Sequence, residues 1–336
     1  MEKINTEALA NIHFHLRYRD DHAVHRQIFY ARRVNFWRDL LPQKLTEPLM
    51  GRSDGESVTM DFSPGEAVSA YDERRRFELR PNQFSGFAPS GYSVHLREGR
   101  YYPGGLLRGV AGVFPQNVEP FRCTRIEDRR FVAEFNHPLS TRTLQVSAIV
   151  DRVIPKITER GGTSIDWMET VTAGPGMQSR VNGTRTDFFV ENAFARGDER
   201  PDTEFYRTPR FVNHIDRRAS ETIRNLYGDL IPDGAEVLDL MSSWVSHLPN
   251  EPAPASVTGL GLNRAELDAN ERLSHRVVHD LNADPKLPFE AGRFDAVICT
   301  VSIEYLTRPL AVFQEVARIL KPGGIFIVTY SNRWFP

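Results

Sequence analysis

Polar residues follow several short apolar runs in the last third of the chain, and their types are those that bind polar ligands. Asp239 ends one such run, with Ser242 and Ser243 just beyond it, while Asn263 and Asp280 follow two later runs. A carboxylate accepts hydrogen bonds without donating, whereas an asparagine amide does both. If the runs are parallel strands, these side chains meet outside the strand carboxyl ends, where open α/β sheets bind their ligands.

Helix-like and strand-like patterns alternate around these residues from about position 211 onward. The predicted strands are 236–240, 256–262, 276–280, 295–301 and 325–330, and the predicted helices are 211–227, 265–270 and 310–320. Residues 296–299 are almost all apolar, which is typical of a parallel sheet covered by helices on both faces. The pattern predicts a doubly wound α/β domain.

Three motifs in this region resemble class I S-adenosylmethionine-dependent methyltransferases of the type 11 group. They are the strand Phe294–Cys299, the acidic-aromatic turn Ser302–Leu306 and the Lys-Pro-Gly-Gly turn within Leu320–Gly324, in that order. The resemblance covers about residues 211–336 and implies a Rossmann-like core that binds S-adenosylmethionine. Gly323 and Gly324 are expected to end a helix, where a left-handed backbone is needed.

The resemblance assigns the first turn of the domain to the methionine moiety of the cofactor. It implies that Asp239, Met241, Ser242 and Ser243 lie there, in place of the family's acid and glycine-rich turn. Glycine normally permits close backbone approach, and the small serines are expected to substitute for it in part. Trp244 is too large to do so and is expected to point away, toward helix packing.

The same resemblance assigns the ribose and the adenine of the cofactor to the ends of the later strands. Gly261 and Asn263 are expected near the ribose, although Asn263 is equally a turn residue that tolerates a left-handed backbone. Asp280 is expected to accept a hydrogen bond from the adenine amino group, with Leu281 supplying a backbone donor. The alternative role for Asp280 is to cap a turn. The residues expected to line the cofactor after the fourth strand are Thr300, Val301 and Ser302.

The sequence does not identify which side chains are catalytic. The sulfonium of the cofactor is already activated, so alignment of the nucleophile supplies most of the acceleration in methyl transfer. A base is needed only if the acceptor must lose a proton, and the candidates are His214, His247, Glu304 and Tyr305. A lone histidine is more often structural, so the catalytic residues remain unknown.

The resemblance also raises a question about the C-terminal edge of the sheet. The family fold continues with two further strands, without which strand 325–330 would expose an apolar edge that is prone to pairing. The segment 156–210 could cover that edge, another chain could, or the sequence could be shortened. The residues do not choose between these.

The N-terminal region has a different, strand-rich pattern. Residues 12–16, 57–62, 131–135 and 144–150 alternate apolar with polar, which predicts half-buried strands of an antiparallel sheet, and a short helix is predicted at 44–50. The stretch Phe135–Leu139, the strand that follows it and the helix region 40–59 resemble FKBP-type prolyl isomerases. The match is to the bacterial SlyD-like group, which carries a chaperone insert, and it covers about residues 10–155.

The FKBP-like resemblance implies peptide or protein binding more than catalysis. Phe14 and His25 stand where the family has an aromatic residue and an aspartate in its pocket. Loss of the phenol and the acid weighs against isomerase activity. Asn136–Leu139 is expected to be mainly a structural turn.

Bulk properties bound the remaining possibilities. The chain has 336 residues and a net charge of −2, so we expect more than one domain and no general affinity for nucleic acid or an anionic membrane. Cys123 and Cys299 suit a reducing compartment, and the sequence predicts a cytoplasmic protein without a metal. The predicted domains are 10–155 (FKBP-like), 156–210 (an ordered connector) and 211–336 (methyltransferase-like).

The leading functional hypothesis is therefore a methyltransferase with an unknown acceptor, whose FKBP-like domain binds a protein partner or the substrate. One alternative is a non-catalytic binding protein with a degenerate methyltransferase core. Another is a prolyl isomerase or chaperone.

Overall fold

The computed structural model describes residues 2–86, 91, 93–155, 161–181 and 183–331. The chain divides into two compact units, Met1–Phe189 and Val190–Pro336. The predicted connector 156–210 is thus divided, because its described residues up to 189 belong to the first unit and those from 190 belong to the second.

The first unit is built on an antiparallel sheet and a short helix. The sheet contains β1 (Leu9–Arg19), β2 (Val24–Asn35), β3 (Ser57–Phe62) and β8 (Leu144–Ile154), in the order β2-β1-β8-β3. Residues of β1 alternate between buried and accessible, as the sequence predicts. The buried face packs against α1 (Gln43–Leu49) and α2 (Trp167–Thr172), with Phe14 and Trp167 in the shared core.

A second antiparallel sheet is inserted in the chain between β3 and β8. Its strands are β4 (Arg76–Leu79), β5 (Tyr101–Pro103), β6 (Pro120–Glu127) and β7 (Arg130–Glu134), in the order β4-β7-β6-β5. It has its own core, in which Phe121, Phe131 and Phe135 are buried together.

The second unit contains a parallel sheet in the order β11-β10-β9-β12-β13. Its strands are β9 (Glu236–Leu240), β10 (Ser256–Gly261), β11 (His275–Val278), β12 (Phe294–Thr300) and β13 (Leu320–Thr329). Its helices are α3 (Asp202–Phe205), α4 (Arg217–Leu230), α5 (Arg264–Ala269) and α6 (Pro309–Ile319). Separate apolar clusters pack on the two faces of the sheet, which confirms the doubly wound α/β prediction.

Two element predictions in this unit are wrong. The helix predicted at 211–227 begins only at Arg217, because the Asp216 side chain caps it by accepting from the Ala219 amide at 2.8 Å. Gly323 has a left-handed φ of 81° but does not end a helix, since α6 ends at Ile319. Instead the Lys-Pro-Gly-Gly segment bulges out of β13 where its register with β12 shifts, and Lys321 pairs with Asp295 at 2.9 Å.

The described part of the sheet ends at β13, which pairs with β12 on one side. Both cysteines are free, buried thiols. Across the described residues, no helix combines the length and apolar character needed to cross a bilayer.

Candidate functional site

A cavity of about 340 Å³ lies at the carboxyl ends of β9, β10, β11 and β12. Residues 202–214, here called the strap, form its remaining wall. The strand ends and the residues just beyond them contribute Met241, Ser242, Ser243, Leu260, Gly261, Leu262, Asn263, Glu266, His279, Asp280, Leu281, Asn282, Val301, Ser302, Tyr305 and Leu306, and the strap contributes Asp202, Phe205, Tyr206, Arg210 and His214. Both the size and the place are those of small-molecule sites in open α/β sheets.

The turn after β9 lacks the glycines that the methyltransferase family has there. A glycine on the neighbouring strand β10 allows the close approach instead. The Ser242 amide donates to the Leu260 carbonyl at 2.8 Å, which brings the turn onto β10. A Cβ atom on Gly261 would lie 2.1 Å from the Ser242 carbonyl oxygen, so the approach requires glycine at that position. The missing side chain that lets the turn and β10 pack closely is thus on β10, at Gly261, and not in the turn.

Strained backbone lies on both sides of the cavity. Met241 has φ of 58° and Val301 has φ of 48°, in the left-handed region that side chains rarely adopt. For a β-branched residue such as Val301 this conformation is a genuine outlier. Each such residue costs roughly 1–3 kcal/mol and is typically found at functional sites.

Asp239 and Thr300 do not line the larger cavity, which departs from the sequence expectation. Both line a smaller adjoining space of about 80 Å³. Asp239 accepts from the Ser242 hydroxyl at 2.7 Å, and burial raises the pKa of its carboxyl to about 7. Thr300 is hydrogen-bonded to the hydroxyl of Tyr227 at 2.5 Å.

Asn263 lines the cavity with both ends of its amide engaged. Its oxygen caps α5 by accepting from the Glu266 amide at 3.1 Å, and its nitrogen donates to the Tyr206 carbonyl at 2.7 Å. Its φ is −110°, so it is not a left-handed turn residue. The side chain therefore serves as a helix cap and as an anchor for the strap.

Glu266 is the buried carboxylate in this corner of the cavity. Its oxygens accept from the Ser243 hydroxyl at 2.6 Å and from the Arg210 amide at 2.7 Å. An ionised carboxylate has about four acceptor sites, so two more hydrogen bonds remain available to a ligand.

Asp280 both caps a turn and lines the cavity. One carboxylate oxygen accepts from the amides of Asn282 and Ala283 at 2.9 and 3.1 Å. The side-chain nitrogen of Asn282 then donates to the Asp202 carboxylate at 2.7 Å and to the Tyr305 carbonyl at 2.9 Å. Capping of the turn and contact with a ligand, the two roles predicted for Asp280, are thus compatible in this geometry.

The strap presents aromatic and cationic groups to the cavity. The Arg210 guanidinium lies 3.9 Å from the centre of the Phe205 ring, which is cation–π geometry. Burial raises the pKa of Tyr206 to about 12 and also raises the pKa of Tyr305. Both phenols are therefore neutral hydrogen-bonding groups at physiological pH.

Trp244 does not line the larger cavity, and its side chain contacts the strap. Its indole nitrogen donates to the Val212 carbonyl at 3.3 Å, and its ring meets that of Phe211 edge-on at 6.2 Å. The candidate bases are dispersed: His214 and Tyr305 line the larger cavity, whereas His247 lines the smaller one.

Residues 242–328 match the family described as "Methyltransferase domain". This part of the second unit is therefore similar to methyltransferase domains. S-adenosylmethionine is the cofactor of such domains, and the matched segment includes most of the strand ends around the cavity. The methyltransferase resemblance of the sequence is thereby confirmed, whereas the FKBP-like resemblance stays a prediction.

Two curated proteins that are similar to part of this chain carry the same name. The chain is 29% identical over 132 residues to a ubiquinone biosynthesis O-methyltransferase of Marinobacter nauticus, covering 37% of this chain and 51% of that protein. It is 33% identical over 120 residues to the protein of that name from Xanthomonas axonopodis pv. citri, with 31% and 46% covered. The chain thus spans about half the length of the curated relatives it matches.

Among solved structures, one S-adenosylmethionine-dependent methyltransferase from Mesorhizobium loti is 22% identical. The match covers 31% of this chain and 51% of that chain, with a TM-score of 0.26.

The structure brings together nine of the eleven predicted cofactor residues, all except Asp239 and Thr300. Sequence reasoning missed Glu266 and the side chain of Asn282, and it interpreted the segment up to residue 210 as an ordered connector lying on the next domain without assigning it to the wall of a cavity. The spacing of Asn263 and Glu266, an N-cap residue and a glutamate three positions later, is a capping signal that could have revealed Glu266. No local pattern marks the strap, because its position depends on contacts with distant strand ends.

Proposed function

We propose that the chain transfers the methyl group of S-adenosylmethionine to an acceptor. The observation that carries this proposal is the cavity at the carboxyl ends of β9 to β12, closed by the strap and lined by hydrogen-bond acceptors. Two features support it further: the match to the methyltransferase domain and the strained backbone at Met241 and Val301.

The residues present fit a nucleoside joined to an amino acid. Asp280 and Leu281 would hold the adenine, whose flat faces suit the apolar wall that Leu281 and Leu306 provide. The carboxylate of Glu266 would receive the ribose hydroxyls. The methionine moiety would lie along Met241, Ser242 and Ser243, near the carboxylate of Asp239.

The bound cofactor supplies an activated methyl group, and the protein supplies alignment. The strand ends fix the cofactor, while the strap and the apolar residues keep water from it. The acceptor approaches a group that is already positioned, which is the main source of acceleration in such reactions. His214 lines the cavity and could receive a proton if the acceptor loses one, whereas the neutral Tyr305 phenol could donate a hydrogen bond.

The acceptor class is suggested by the relatives alone. Both curated relatives described above are O-methyltransferases, so we propose an acceptor that presents a hydroxyl group.

Isothermal titration with S-adenosylmethionine and S-adenosylhomocysteine tests the proposal. We expect saturable binding that weakens on Asp280→Ala and is unchanged by Asp229→Ala, which removes an exposed carboxylate from α4. No binding at millimolar ligand would overturn the cofactor assignment. Binding without methyl transfer to any hydroxyl compound of a test panel would favour the non-catalytic alternative.

We further propose that the first unit binds peptides or unfolded proteins, as an FKBP-like domain with an insert would. Support comes from its antiparallel sheet with α1 and from the second sheet that interrupts the chain between β3 and β8. Phe14 is fully buried in the core and His25 is paired with Asp20 at 2.8 Å, so neither is presented as an isomerase group. We expect binding of a reduced, unfolded protein but an uncatalysed rate in a proline-limited refolding assay.

A further inference from the structure

The outer face of the main sheet in the first unit carries an excess of positive charge. On this face the exposed Arg17 of β1 stands directly opposite the exposed Arg26 of β2. Arg19 lies one step along β1 and Arg32 lies farther along β2. This arginine-rich surface is here called the basic face, and its strand β2 is at the edge of the described sheet.

Asp61 and Asp151, two carboxylates on this face, form hydrogen bonds with neutral groups and, among the described residues, do not pair with its arginines. Asp61 accepts from the Gln145 amide at 2.9 Å, and Asp151 accepts from the Tyr30 hydroxyl at 2.7 Å. Within the described chain, Arg17 and Arg26 form no ion pair. Like charges directly opposite each other in a sheet are destabilising, so the fold retains this pair at a cost. An anion bound between the two guanidinium groups would relieve that repulsion.

Flat and apolar groups lie beside the arginines along the same two strands. The rings of His13 and Tyr30 are 4.5 Å apart, and the Arg32 guanidinium lies 5.7 Å from the centre of the Tyr30 ring. Ile28 is 61% exposed and stands opposite His15. Burial, followed by the charge of Arg26, lowers the pKa of His15, so its imidazole is an uncharged flat surface at neutral pH.

Positive charge beside exposed rings matches one kind of polyanion better than others. Phosphates of a single strand would contact the arginines, while its bases would stack on the aromatic rings and pack on Ile28. An acidic peptide would match the charge but would leave the flat surfaces unused. We propose that the basic face of the first unit binds single-stranded nucleic acid.

The net charge of −2 does not oppose this, because that value averages both units whereas phosphate contacts depend on local charge. The proposal is independent of methyl transfer, since it uses residues of β1 and β2 alone. If both hold, the first unit would bring a nucleic acid to a chain that carries a methyltransferase domain.

Fluorescence anisotropy of the full chain with labelled 12-nucleotide single-stranded RNA and DNA tests the proposal. We expect saturable binding that weakens with salt. The variant Arg17→Gln/Arg26→Gln should lower the magnitude of the salt slope by roughly 1.4, about 0.7 for each lost phosphate contact on a single strand. Tyr30→Ala should weaken binding about tenfold through the loss of one stacked base.

A control variant and a stability measurement separate this role from a loss of folding. Arg74→Gln/Arg217→Gln removes two other exposed arginines, which are paired with carboxylates, and should bind like the wild type. Arg26→Gln alone should weaken binding and yet raise the melting temperature, because it removes the opposed charge.

Three results would overturn the proposal. The first is equal binding by the Arg17→Gln/Arg26→Gln variant and the wild type. The second is competition by poly-glutamate as effective as that by unlabelled oligonucleotide, which would indicate an acidic protein partner. The third is binding only to anionic lipid vesicles.

Discussion

The side-chain amide of Asn263 donates to the backbone carbonyl of Tyr206 at 2.7 Å and so ties the strap to the end of β10. At this strand end, where a methyltransferase often has an acid, the chain has a residue that must donate. A carboxylate could not make the same contact, because it has no proton to give at neutral pH. The acidic role in this corner falls instead to Glu266, one turn into α5.

Asn263→Asp distinguishes this interpretation from the family pattern. The family pattern predicts tighter cofactor binding by the aspartate, whereas the structure predicts binding of S-adenosylmethionine that is about three- to tenfold weaker, as expected for one lost hydrogen bond. Trypsin should also cleave the strap faster at Arg207 and Arg210. Asn225→Asp makes the same change on the exposed face of α4 and should have no effect on either measurement. Tighter binding by Asn263→Asp would contradict the role of the strap.

Glu266→Gln should weaken the binding of S-adenosylmethionine by at least about tenfold, since hydrogen bonds to a charged acceptor contribute roughly 1.5–3 kcal/mol. The amide would also donate where the carboxylate now only accepts, from Ser243 and Arg210. Titration calorimetry measures the change. Asp268→Asn, at an exposed carboxylate on the same helix, is the matched control. Equal affinity in both variants would remove Glu266 from the cofactor site.

Gly261→Ala should destabilise the second unit by about 1–3 kcal/mol, the usual cost of overpacking. The added methyl group would collide with the Ser242 carbonyl, and the turn after β9 would have to move away from β10. Thermal unfolding followed by circular dichroism should show a lower melting temperature. Gly197→Ala adds a methyl group where no atom lies within 4 Å and should leave the melting temperature unchanged. An unchanged melting temperature for Gly261→Ala would show that the turn is not held against β10.

Asp239→Asn should change how stability depends on pH. Burial raises the pKa of Asp239 to about 7, so the folded chain keeps a proton that the unfolded chain loses above about pH 4, and the free energy of unfolding falls as the pH rises to 7. The variant does not titrate, and its stability relative to the wild type should therefore increase from pH 5 to pH 8. Denaturant unfolding at several pH values measures this difference.

Asp295→Asn provides the opposite control for that measurement. The hydrogen bond from Lys321 lowers the pKa of the Asp295 carboxyl, so its contribution is present at neutral pH and is lost as the pH falls through the lowered value. This variant should be slightly less stable than the wild type at pH 7 and equal to it in acid. A flat pH profile for the difference between wild type and Asp239→Asn would contradict the raised pKa.

The sequence predicted the elements that depend on local patterns. Apolar runs such as 296–299 and the alternation of β1 indicated a buried parallel sheet and a half-buried antiparallel one, and both are present. The boundary of α4 was missed because the Asp216 cap outweighed apolar spacing further upstream. The helix-ending role of Gly323 was missed because its left-handed backbone serves a bulge in β13.

The types and order of residues along the chain determined that a ligand site forms at the strand ends, since parallel strands bring their carboxyl ends to one edge. Only the tertiary structure decided the role of each side chain there. Whether Asn263 meets a ribose or a strap depends on where Tyr206 lies, 57 positions away. Whether Asp239 lines the larger cavity or the smaller one beside it depends on how β9 packs between β10 and β12. Such contacts join residues that are remote in sequence, so no local pattern encodes them.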